Sequence, residues 1–131
     1  MNPIPESQQQ EIQLYLSQDL DTLYSTLDLI CSAEKTSLYR PGDEVSRGIA
    51  IFNKLTAFLR QKVCVEWNYC AKRNNPEIQD NVTLVAAIMD IISSKIIGFP
   101  PVLIATILIK IGLTYFCGCT SAEITNEKQS D

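Results

Sequence analysis

Histidine is missing altogether from this 131-residue chain. Its absence removes Ser-His and Cys-His nucleophilic pairs, imidazole general bases and every histidine-containing metal site. Glycine is scarce and scattered. The five residues stand singly at Gly42, Gly48, Gly98, Gly112 and Gly118, so neither phosphate-cradling glycine fingerprint can be drawn. A basic excess is lacking too: 11 Lys+Arg against 15 Asp+Glu leave a net charge of −4. Without clustered cations to neutralise phosphates, nucleic acid is not an expected partner. The opening MNPIPESQQQ has neither a charged n-region nor an apolar h-region, so the expectation is a cytoplasmic protein that stays where it is made.

That compartment is reducing. Five cysteines, Cys31, Cys64, Cys70, Cys117 and Cys119, an odd number without secretory context, are therefore expected as free thiols rather than as a disulfide framework. Cys117-Gly118-Cys119 stands out as a pair of reactive thiols at a helix end. Its single-residue spacing falls short of the two to four residues between paired cysteines in structural zinc sites. Cys64 and Cys70, six apart, belong to different faces of a regular helix. No metal and no cofactor is expected, and Asn81-Val82-Thr83, a match to the glycosylation acceptor, carries no meaning without secretion.

What the chain does contain is helical periodicity. The composition, 46% hydrophobic and 20% charged, is that of a folding chain, and the length suits one core. Ile12, Leu16, Leu20, Leu23, Leu27 and Ile30 recur at steps of four and three, predicting an amphipathic helix over 7–33. Ser7 with Gln10 reads as a capping box behind Pro5. After a loop over 34–42, Asp43 is placed to cap a second helix, with Val45, Ile49, Phe52, Leu59, Val63, Trp67 and Cys70 on one face and Ile51, Leu55 and Phe58 beside them. It ends at Lys72-Arg73-Asn74-Asn75-Pro76, where proline stops it.

A third segment, from Pro76 or Asp80 to Ile97, is apolar nearly all round, as is a fourth from Val102 to Cys117. Gly98, Phe99, Pro100 and Pro101 make the turn between them. A helix apolar on almost every side must be buried in protein or lie in lipid. The fourth segment is short for a span and carries Lys110 near its middle, so burial is the reading taken. Asp90 and Lys110 stand at comparable heights from the turn, placed either to pair across the hairpin or to be solvated independently.

The fold class that follows is all-α: a small four-helix bundle with a strongly apolar C-terminal helical hairpin. Residues 1–120 form a single domain and 121–131 a flexible polar tail. With no site chemistry, function is expected to lie in surfaces: a non-catalytic helical protein–protein interaction module, adaptor, regulatory or assembly subunit, that binds a protein partner or itself. The candidate patch is Trp67, Tyr69, Lys72 and Arg73, because Trp, Tyr and Arg dominate binding hot spots. The alternative is a membrane-associated protein that inserts the apolar hairpin 81–116.

Overall fold

The computed structural model describes residues 5–31, 43–93 and 99–119. Among them every regular element is a helix. The expected loop over 34–42, the Gly98 stop and the polar tail lie outside the described residues.

The first predicted helix is two. Helix α1 spans Glu6–Leu16 and α2 spans Leu20–Cys31. The break is built locally: the Ser17 hydroxyl donates to the Leu14 carbonyl at 2.6 Å, closing α1, and the Asp19 carboxylate accepts the Thr22 N–H at 2.8 Å, opening α2 as a side-chain cap does. The apolar stripe runs on through Leu16, Leu20 and Leu23, which hides the break in the pattern. The expected capping box of Ser7 and Gln10 is not formed. Pro5 holds the cap position without a side-chain bond, and the Gln10 amide reaches Glu6 at 3.5 Å instead.

The second predicted helix is also interrupted. Helix α3, Glu44–Asn53, follows Asp43, which occupies the cap position but makes no capping bond. After Lys54 and Leu55 comes the four-residue α4, Thr56–Leu59, and it widens into a π-helical segment, Arg60–Glu66. The wider winding is visible in the Trp67 N–H, which donates to the Lys62 carbonyl five residues back at 3.0 Å. Asn68 then turns left-handed at φ 60°, a conformation asparagine tolerates better than most side chains, and α5, Tyr69–Lys72, sets off in a new direction. We refer to residues 54–73 as the arm.

The start of the third helix is set by two successive caps. Asn75 accepts the Glu77 N–H at 2.9 Å over a 3₁₀ turn, Pro76–Ile78, and Asp80 accepts the Thr83 N–H at 3.0 Å at the head of α6, Asn81–Ile92. Helix α7, Pro101–Ile111, begins on its proline and ends at Gly112, whose φ of 103° redirects the chain into α8, Leu113–Cys117.

Helix α7 is the centre of the molecule. Every residue from Val102 to Leu108 is buried, and α6, α1 and α2 pack on it. Each fully buried Leu or Ile there contributes about 1.5–3 kcal/mol relative to exposure. Thr106, the polar member, is satisfied by donating to the Val102 carbonyl at 2.8 Å, as a buried hydroxyl requires. Among the described residues no helix is long and apolar enough to cross a membrane.

Helix α3 packs chiefly on α2. Gly48 lies against the Tyr24 backbone so closely that a Cβ would run into the Tyr24 carbonyl, and the two rings beside this crossing, Tyr24 and Phe52, meet edge to face at 6.1 Å.

Candidate functional site

The arm is held by covalent chemistry. Cys64, on the π segment, is bonded to Cys117 of α8, and Cys70 of α5 to Cys119, with Cα separations of 5.3 and 5.5 Å. The expectation of free, reactive thiols at Cys117 and Cys119 is therefore corrected, and only Cys31 keeps its thiol. Cys64 and Cys70 would occupy different faces of one regular helix. The π winding and the left-handed Asn68 break that regularity between them, and α8 turns back at Gly112 to meet both. Sequence spacing could not reveal this, because each bond joins residues about 50 apart (53 and 49).

A third tie joins the same two elements. Arg60 donates from Nε to the Phe116 carbonyl at 3.4 Å, and its guanidinium lies 4.8 Å from the centroid of the Phe116 ring. The arm is thus tied at Arg60, Cys64 and Cys70 to Phe116, Cys117 and Cys119, which braces what the arm displays.

Trp67 and Tyr69 are displayed there. Their rings stack at 6.3 Å with an interplanar angle of 29°, each half-buried against the core. Lys72 is exposed; its Nζ donates to the Trp67 carbonyl at 2.9 Å and sits 5.9 Å from the centre of the indole, within the range of a cation–π contact. Arg73 follows, half-buried. Val65 and Tyr115, 63% and 82% exposed, add apolar surface on the arm and on α8. Trp67, Tyr69 and Lys72 therefore form one contiguous platform, with Arg73 next to Lys72 in sequence.

Of the two arrangements open to Asp90 and Lys110, the ion pair is not present. Both side chains are exposed, and the ion pairs among the described residues are Arg47 with Asp28 and Lys62 with Glu66. Equal height from the turn was not enough, because the two side chains must also leave facing sides of α6 and α7. Lys110 acts elsewhere. The Asp19 carboxyl is held below its ordinary range first by hydrogen bonds from Thr22 and then by the positive charge of Lys110.

Two recesses indent the described surface. One, of about 240 Å³, lies at the Gly112 bend between Tyr69, Asn81, Leu84, Ile109 and Leu113; it is smaller than the 300–1,000 Å³ usual for ligand clefts. The other is a wide opening of about 390 Å³ beside Asp21, Ser25, Leu29 and Glu44, without converging catalytic groups. Among the described residues no cluster of three or more Cys, Asp or Glu could hold a metal ion.

No family model matches the chain. No curated protein and no solved structure matches it either.

Proposed function

We propose that this chain is a non-catalytic helical interaction module, an adaptor, regulatory or assembly subunit, whose contact surface is the arm. The observation that carries the reading is the stacked Trp67–Tyr69 pair with Lys72 over the indole, on an arm tied by disulfides to Cys117 of α8 and to Cys119 just beyond it. Rigid aromatics and cations that are already ordered lose little freedom on binding, which is how a preorganised surface gains affinity. In this reading the segments work as the four members of a helical bundle, 5–31, 43–75, 76–93 and 99–119, and the arm within the second is offered to a protein partner.

The cytoplasmic placement expected from the sequence rests on the opening MNPIPESQQQ, with free thiols expected as its consequence. With four of the five cysteines paired, the proposal moves to an oxidising compartment, where disulfides persist. The membrane alternative loses its motive, because Val102–Leu108 is already covered by protein and gains nothing from lipid.

Site-specific photo-cross-linking tests the proposal. A cross-linker at Lys72 should give discrete protein adducts that Trp67→Ala abolishes, whereas one at the exposed Asp90 should give none. Adducts equal at both positions, or absent from Lys72, contradict it.

A further inference from the structure

The chain divides its charge by region. Between residues 5 and 31 there are five carboxylates, Glu6, Glu11, Asp19, Asp21 and Asp28, and neither lysine nor arginine. Over 54–73 there are five cations, Lys54, Arg60, Lys62, Lys72 and Arg73, against Glu66 alone. Asp28 is buried on Arg47, but the other four carboxylates are exposed. The two regions meet a common partner in α6, on which both α1 and the π segment pack, but otherwise differ: α1 and α2 pack on α7, whereas the π segment and α5 pack on α8. Neither the Arg47–Asp28 pair nor the Lys62–Glu66 pair joins one region to the other.

From this we infer that the arm binds the α1–α2 face of a second copy of the same chain. The inference rests on the reading of the arm as the contact surface and names its partner. Complementarity of charge favours this pairing: an arm of net charge +4 over 54–73 meets the four exposed carboxylates of 5–31, Glu6, Glu11, Asp19 and Asp21, and such complementarity fixes partner and register. The same two helices also expose apolar side chains, Leu14 on α1 and Leu29 on α2, 59% and 65% exposed, of the kind that suits the half-buried Trp67–Tyr69 stack. Because unlike faces meet, the contact is heterologous, and a bound pair still offers one free face of each kind, the arm of one copy and the acidic face of the other.

Sedimentation of the oxidised full chain at about 0.02 M and about 0.5 M salt, where screening lengths fall from roughly 20 Å to under 5 Å, tests the pairing. Wild type should associate as concentration rises at low salt and revert to monomer at high salt. An arm variant, Arg60→Glu with Lys72→Glu, and an acidic-face variant, Glu11→Lys with Asp21→Lys, should each associate at least about tenfold more weakly, since like charges are brought together. Mixed in equal amounts, the two variants retain one working pair of faces and should form a 1:1 dimer. Circular dichroism and a count of one free thiol verify that each variant is folded.

A wild type that stays monomeric at low salt, an association indifferent to salt, or a mixture no tighter than either variant alone overturns the inference. So does an arm that binds only anionic vesicles. A monomeric chain whose Lys72 position still cross-links to another protein overturns the self-pairing and leaves the proposed function standing; failure of both experiments retires both.

Discussion

Arg47 of α3 grips both carboxylate oxygens of Asp28 on α2, Nε to Oδ1 at 3.0 Å and Nη2 to Oδ2 at 3.2 Å, and the Asp28 side chain is wholly buried. A forked guanidinium on a carboxylate is the strongest geometry available to such a pair. Its removal from one side strands a charge inside the protein. Arg47→Met should lower the unfolding free energy by about 3 kcal/mol or more, measured by urea denaturation. Replacing both partners with apolar residues should cost less than replacing Arg47 alone. A double variant weaker than Arg47→Met would show that the pair contributes net stability.

Gly48 gives a second test of the same helix crossing. On an isolated helix Gly→Ala stabilises by about 1 kcal/mol, but here a Cβ meets the Tyr24 carbonyl, and backbone cannot swing aside as a flexible side chain can. Gly48→Ala should therefore destabilise by about 1–3 kcal/mol, read as a lower urea midpoint with unchanged slope. Gly48→Ala that raises the midpoint would mean that α2 and α3 are not in contact there.

The two disulfides close segments of 53 and 49 residues, long enough for each to restrict the unfolded chain substantially. Removing one as a Cys→Ala pair should cost about 2–4 kcal/mol. Alkylation followed by mass spectrometry should count one reactive thiol, Cys31, in the native protein and five after reduction. Five thiols in protein kept under native oxidising conditions would refute the bracing of the arm.

Cys31 itself supplies a pH dependence. Burial, and then the nearby Asp28 charge, push its thiol above the ordinary value, because both disfavour the thiolate. The folded protein thus holds this proton more tightly than the unfolded chain does. The stability it contributes is complete below the ordinary thiol pKa and is lost as pH rises through the higher folded value. Alkylation of Cys31 should accordingly have its midpoint at higher pH than alkylation of the unfolded chain, and Asp28→Asn should move it down. Equal midpoints for folded and unfolded protein would contradict this.

Elements whose signals are local were the ones legible in the sequence. Asp80 and the Pro100-Pro101 pair mark the starts of α6 and α7, and the apolar run after Pro101 is the buried centre. The break between α1 and α2 had a signal, Asp19 three residues before Thr22, but the uninterrupted stripe from Ile12 to Ile30 overrode it. The arm was less readable: nothing in Arg60–Glu66 announces π winding, and the left-handed turn falls on an asparagine rather than a glycine. The patch residues Trp67, Tyr69, Lys72 and Arg73 were identified from residue type alone. What braces them was missed, since disulfide pairing depends on which distant segments the fold brings together.

Trp67 is the chain's single tryptophan and belongs to the platform itself, so its emission reads the central claim directly. As the oxidised protein is concentrated at low salt, the emission should shift to the blue and acrylamide should quench it less, and about 0.5 M salt should reverse both changes. Emission and quenching that stay constant while the protein associates, or a blue shift produced by anionic vesicles alone, would contradict an arm that works by meeting protein.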